Sequence, residues 1–502
     1  MKRGWLTWLS LAILAGSLQA EQAPSSASLD EVFLWLAAGI SSPRIQRLAG
    51  TADGTRNPAC YVAPPCVRAL RNAGAGESLI RNLEHQTAEP TGARPRATGL
   101  PQKPATEASC GCAGPAAEIA ALVHANNLNT AEDKIRAALR NQPNDATLLF
   151  ALGTVLRGQE RFDEALDAFM ESAHLMPGFP ETHNQLSYLF YRTDDSDNAL
   201  AEARSALSMD PANAEAYRYL GLALYAGGHY EAALNAYEKS LERESENADV
   251  YFDIGITQRD KGNLRQAAIA YRHALTLRPN FWQAHSNLGV VLRDQGKLEE
   301  ATAEYRTAIR LKPDEASVRN NLGNTLCDQE DFDGAIAEFK ELYRQTPDWE
   351  GGHNCLARAY MSKKDYPAAI RELKAAIAGN PAGAAEHRVL GQALLLTGQD
   401  QEAVGVLRKA VALNPESSLA HHYLGTALVN TQEMAEAEKE FREALRLEPT
   451  AQNHYSLAAC LMGLNRFEEA LGELEIASRL DPKENLYRAR MQEAARMITT
   501  SK

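Results

Sequence analysis

Prolines return along most of this chain at a fixed interval: Pro143, Pro177, Pro211, then Ser245 in the next slot, then Pro279, Pro313, Pro347, Pro381, Pro415, Pro449 and Pro482. Every interval is 34 residues except the last, which is 33. A period of this length points to a stack of like units, each too small to bury its own apolar face. Twelve residues before each slot from Pro177 onward stands an alanine: Ala165, Ala199, Ala233, Ala267, Ala301, Ala335, Ala369, Ala403, Ala437 and Ala470. Twelve residues earlier again the side chain is small: Gly153, Ser187, Gly221, Gly255, Gly289, Gly323, Ala357, Gly391, Gly425 and Ala458. Helices approach closely only where side chains are small, so each unit is predicted to contain two packed helices.

Around the small sites apolar residues recur at helical spacing, as in Leu288 and Leu292, then Leu298, Ala301, Tyr305 and Ala308. Proline ends the second helix because it lacks an amide hydrogen and restricts the residue before it. Glycines such as Gly262, Gly296 and Gly398 supply the turn inside the hairpin. Units such as Trp282 to Glu315, reading WQAHSNLGVVLRDQGKLEEATAEYRTAIRLKPDE, resemble tetratricopeptide repeats. The resemblance covers ten units over 146–483, with a degenerate one over 114–145 and a capping helix over 484–502. It implies an all-α fold, a right-handed α-α superhelix whose first helices line a concave groove.

Ahead of the array, Lys2 and Arg3 precede the apolar run Leu6 to Leu18, which ends before Ala20 and Glu21. This is the pattern of a secretory signal over 1–20, cleaved after Ala20, with a retained anchor as the alternative. The apolar run would rise only about 20 Å as a helix, short of the roughly 30 Å of a bilayer core. The chain is therefore expected outside the cytoplasm, periplasmic or extracellular, with no membrane insertion once the signal is gone. Residues 21–84 read as a small helical-hairpin segment, with Val32, Ala38, Gly39, Ile45 and Leu48 matched 35 residues on by Val67, Ala73, Gly74, Ile80 and Leu83. Residues 85–113 read as a Pro/Ala/Thr-rich linker that carries Cys110 and Cys112.

Seven cysteines leave at least one thiol unpaired within the chain. Cys60, Cys66, Cys110 and Cys112 are candidates for disulfides in an exported protein, with free thiols or metal and redox chemistry as alternatives. Their spacing does not match a four-thiolate zinc site. Cys327, Cys355 and Cys460 fall on first helices of repeats and are expected to be buried, inert thiols.

The formal charge is −13, and residues 1–113 hold 11 of the 52 basic residues and 8 of the 65 acidic ones, so the acidity belongs to the array. Such a surface repels a phosphate backbone, which excludes nucleic acid as the expected partner. No phosphate-cradling glycine loop, zinc-protease histidine pair or nucleophile elbow is present, so the chain reads as a non-enzyme without cofactor or metal. His183, His285, His353, His387, His421 and His454 occupy one place in their units. Equivalent atoms of stacked helices lie on the order of 10 Å apart, too far to share one metal, so packing is the expected role, with collective titration as the alternative.

On the first helices, the side opposite the packed stripe carries Asn184, Gln185, Tyr188, Arg218, Tyr219, Phe252, Asp253, Asn287, Asn320, Asn321, Asn324, Asn354, Arg358, Arg388 and Tyr423. Amides hydrogen-bond an extended backbone whatever its sequence, and aromatic residues and arginine dominate binding energy at interfaces. The Asn287 and Asn321 units resemble the repeats ahead of the catalytic region in O-linked N-acetylglucosamine transferase, which implies extended-peptide binding. The 19 residues after position 483 are too few for a transferase domain. The expectation is an exported scaffold that binds a protein segment or assembles a cell-envelope complex through its groove, in an oligomeric state left open. A scaffold for polysaccharide secretion and a thiol-redox protein using the N-terminal cysteines are the alternatives.

Overall fold

The computed structural model describes residues 29–38, 40, 45, 64–86 and 114–500. The predicted signal over 1–20, most of the predicted linker, and Cys60, Cys110 and Cys112 lie outside the described residues. Among the described residues all regular structure is helical, so the chain is all-α, built from helices in tandem. None of these helices is long and apolar enough to cross a membrane. The chain divides into two compact units, residues 1–261 and 262–502.

The repeating hairpin follows from a few local choices. The helix Ala214–Ala226 begins at Asn213, whose side chain accepts the Ala216 amide at 3.1 Å, and Asp145 caps Ala146–Gly158 at 2.9 and 3.0 Å. Inside each hairpin one residue is left-handed. Glycine fills that slot at Gly228, Gly262, Gly296 and Gly398, but Glu160, Asp194, Glu330, Lys364, Gln432 and Asn465 adopt the same positive φ. The hairpin connection therefore holds its geometry even where a side chain opposes it, because packing of the two helices outweighs a cost of about 1 kcal/mol.

The small slot is explained by what lies on it. A Cβ built at Gly221 would sit 2.3 Å from Tyr237, one at Gly289 would sit 2.7 Å from Tyr305, and one at Gly323 would sit 2.7 Å from Phe339. The ring sixteen residues further on covers the glycine, and Tyr237, Tyr305 and Phe339 are fully buried as a result. Ala335 and its equivalents Ala301 and Ala403 are likewise sealed between helices.

In the first unit the helix Leu29–Ala37 is part of the array's core. Val32, Phe33, Leu34 and Trp35 are buried in one cluster with Ile119, Phe150, Phe169 and Phe179, and Trp35 stacks on Phe179 with ring centroids 6.0 Å apart. It packs on Pro115–His124 and Ala146–Gly158, while Pro64–Asn72 also touches Pro115–His124. These N-terminal helices cover an apolar face that the first hairpin would otherwise expose. In the second unit the helix Asn485–Thr500 packs on Phe467–Leu480 and buries Tyr487, whose ring lies 5.4 Å from that of Tyr455, and Ala494, with Met491 half-buried. Leu486 and Met497, which share its apolar spacing, remain exposed, since the last hairpin offers only one face to cover.

Candidate functional site

Within the first unit, the helices Ala146–Gly158, Pro180–Arg192, Ala214–Ala226 and Ala248–Asp260 present the same side to a cavity of about 430 Å³. Its wall includes Arg157, Gln185, Tyr188, Arg192, Arg218 and Tyr219, and Ala38 and Ile40 close it at the N-terminal end. Two guanidinium groups stand near Tyr188, Arg157 at 5.5 Å and Arg192 at 5.9 Å from the ring centroid, and Arg192 donates to the Tyr188 hydroxyl at 2.9 Å while lying 4.8 Å over the Phe162 ring. Arg157 also donates to Gln185. Tyr219 stands 5.9 Å from Tyr188, ring to ring, and its hydroxyl donates to Glu215 at 2.8 Å. Burial pushes the Tyr219 phenol well above its ordinary range and Glu215 beside it adds to the rise, so it stays a neutral donor.

Arg218 and Asp253 meet at 2.6 Å across neighbouring repeats, with the carboxylate side chain only 6% exposed. Burial holds the Asp253 carboxyl above its usual range even with Arg218 against it. Arg218→Met is expected to lower the stability of the first unit by about 2 kcal/mol, because it strands a carboxylate where little water reaches. Denaturant unfolding followed by circular dichroism reads this, and an unchanged midpoint would show the pair to be idle.

The structure sorts the fifteen sequence-predicted groove residues by accessibility. Asn184, Gln185, Tyr219 and Asp253 are buried, Asn184 completely, while Tyr188, Arg218 and Phe252 are half-buried. In the second unit Asn287, Asn320, Asn321, Asn324, Arg388 and Tyr423 are half-buried, and Asn354 and Arg358 are exposed. There Asn354 donates to Glu386 at 2.9 Å, and Arg358 donates to the Cys327 carbonyl. Arg293, which sequence reasoning passed over, pairs with Asp328 at 2.8 Å. Arg157 and Arg192 were also missed, since they sit at the edge of the stripe rather than at its centre. Their signal is the position seven residues after Phe150 and eight after Asn184, two helical turns along the same face.

One expectation is corrected. Cys327 and Cys355 are not free thiols: they form a disulfide with Cα atoms 6.0 Å apart, joining the first helices of consecutive repeats. The reason is geometric, because residues 28 apart in this array face one another, as Arg157 and Gln185 do. Cys355 stands in the slot of Asn287 and Asn321, on a helix, His353–Ser362, of 10 residues instead of the usual 13. That helix starts late because Gly352 is left-handed, with φ 91°, and Phe339 occupies the space of its missing side chain. Cys460 is buried and free, and burial pushes its thiol up to about 11. Cys66 is disulfide-bonded. No cluster of three or more metal-ligating side chains occurs among the described residues.

Helical hairpins in tandem, their first helices presenting one lined side, define a repeat-type scaffold. Family models described as tetratricopeptide repeat match residues 117–177, 184–249, 248–281, 316–344 and 356–418, and one described as TPR repeat matches 291–328. A model for subunit 3 of the anaphase-promoting complex, or cyclosome, matches 396–477. The chain belongs to the tetratricopeptide repeat family. No curated protein matches it. Among solved structures it is similar to YrrB, described as a TPR protein with an unusual peptide-binding site, at 23% identity and a TM-score of 0.31 over 40% of this chain and 99% of that one. It is also similar to pilF of Pseudomonas aeruginosa, at 20% identity and a TM-score of 0.36 over 43% of this chain and 95% of that one. A tetratricopeptide repeat protein from Parabacteroides merdae shows 20% identity and a TM-score of 0.39 over 48% and 96%. A scaffold of such repeats is suited to protein–protein interaction.

Proposed function

We propose that this protein is an exported scaffold that holds an extended segment of another protein against the inner side of its first helices, within a cell-envelope complex. The cavity around Tyr188 carries the reading. It combines three aromatic rings, those of Phe162, Tyr188 and Tyr219, with three guanidinium groups, the residue types that supply most binding energy when a chain is desolvated against them. The carboxylates that share the wall, Glu160, Glu181, Glu215 and Asp249, make it a polar recess rather than an apolar one. A peptide backbone, with donors and acceptors alternating along its length, suits such a lining better than a greasy helix does.

Export is supported by the basic and apolar N-terminal pattern and by the Cys327–Cys355 disulfide, since disulfides persist in oxidising compartments and are rare in the cytosol. The measurement for export is cell fractionation with the mass of the N-terminal peptide. A chain beginning at Glu21 in the envelope fraction is the expected result, and full-length chain in the cytosol would refute export.

For binding, the full chain and two variants, Tyr188→Ala with Arg192→Ala and Asn287→Ala with Asn321→Ala, are compared by crosslinking and capture from the source envelope. A partner lost by about tenfold or more from the first variant is the expected result, on the scale of an aromatic or arginine hot spot. Equal capture by all three proteins would remove the inner face from the proposal.

A further inference from the structure

Five of the six aligned histidines do more than fill space. Each directs Nδ1 at a glutamate nineteen residues on: His183 at Glu202 (2.6 Å), His285 at Glu304 (2.6 Å), His353 at Glu372 (2.8 Å), His421 at Glu440 (2.6 Å) and His454 at Glu473 (2.6 Å). In three of them Nε2 meets a second acceptor, the carbonyl of the turn proline: Pro177 at 3.3 Å, Pro279 at 3.1 Å and Pro415 at 2.9 Å. A neutral imidazole has one N–H and can satisfy only one of these two acceptors, whereas the imidazolium donates to both.

The chain contains its own control. Arg319 occupies the same slot one repeat after His285 and donates to the same two acceptors, Glu338 at 2.6 Å and the Pro313 carbonyl at 3.3 Å. A permanent cation thus fits where the histidines sit. Where the slot is not cationic the glutamate is absent: Tyr217 and Tyr251 have Ala236 and Ala270 nineteen residues on. His387 has Val406 there and turns Nδ1 to the Gly383 carbonyl at 2.7 Å.

We infer that His183 and His285 are proton-binding sites, each of which clamps the first helix of its repeat to the second helix and to the turn before it, and lets go when the proton leaves. The charged groups that face each ring are consistent with this. Glu202 faces His183, and Glu304 faces His285, opposed by Arg310. Burial by itself would lower the affinity of His183 for its proton, but the hydrogen bond and charge of Glu202 reverse that and leave it raised. At His285 the Glu304 hydrogen bond is the largest influence and again the net direction is up. A group whose proton affinity is higher folded than unfolded stabilises the fold below its unfolded value of about 6.5, and that contribution disappears as pH rises through the folded value. The clamps therefore hold in mildly acidic surroundings and open toward the alkaline side.

The test compares thermal unfolding of the full chain between about pH 5.5 and about pH 8, across the range in which imidazole titrates. The wild type is expected to lose several degrees of midpoint over that interval. The double variant His183→Arg and His285→Arg should lose clearly less, since arginine keeps the clamp charged throughout. Arg319→His should lose more than the wild type. Asp253 is common to all these proteins and drops out of the comparison. The same fall in all three, or no fall in the wild type, would overturn the inference. Should the double variant fail to fold, the ring resonances of His183 and His285 in the wild type, assigned through single substitutions, decide it. Both are expected to titrate above about 6.5, and titration at or below that value refutes the sites.

Discussion

Ala335→Glu is expected to destabilise the second unit by about 3 kcal/mol or more. Ala335 has no exposed surface, and its helix Phe332–Gln345 lies against Ala316–Asp328 at the level where Phe339 covers Gly323. A glutamate there adds four heavy atoms beyond Cβ and a charge to a space already closed. In an array of repeats such damage stays partly local, because each hairpin is supported by its neighbours alone. Hydrogen exchange should therefore show the helices Ala316–Asp328 and Phe332–Gln345 opening first, alongside a lowered thermal midpoint. A melting curve identical to the wild type would contradict the packing of the small slots.

Loss of the Cys327–Cys355 bond is the second large effect, expected at about 3 to 4 kcal/mol for a closed loop of this length. The bond spans 28 residues and lies where the following first helix has 10 residues instead of the usual 13, so the stretch around His353–Ser362 has less helical support of its own. Cys327→Ala with Cys355→Ala, or treatment with dithiothreitol, should lower the denaturant midpoint and leave Cys460 unaffected. Peptide mapping without reductant should recover the two cysteines in one linked pair. Two free thiols at these positions, with unfolding indifferent to reductant, would refute the bond and weaken the case for export.

The histidine clamps show how far a sequence pattern carries and where it stops. The shared slot is visible as a column, and so, with hindsight, is the glutamate nineteen residues on. What the pattern does not reveal is that both ring nitrogens face acceptors, because that depends on where the turn proline's carbonyl points. The cysteines are a similar case. Treated one at a time, Cys327 and Cys355 look like small apolar fillers on first helices; their pairing needs the stagger between consecutive repeats.

The hairpins, their ends and their small contact sites were written locally, in proline, glycine and alanine spacings that act over one or two helical turns, and a linear reading recovers such features because their causes lie close together in the chain. The inner face is different. Asn184 and Asp253 share the stripe of Tyr188 and Asn321, yet two are enclosed and two are half-open. The helix Leu29–Ala37 reads as an isolated piece before a linker, yet it is sealed against Phe150 and Phe179, more than a hundred residues away. Only tertiary structure decided those outcomes, since burial and pairing depend on which distant surface arrives opposite each residue, and helical periodicity specifies a direction without specifying what stands there.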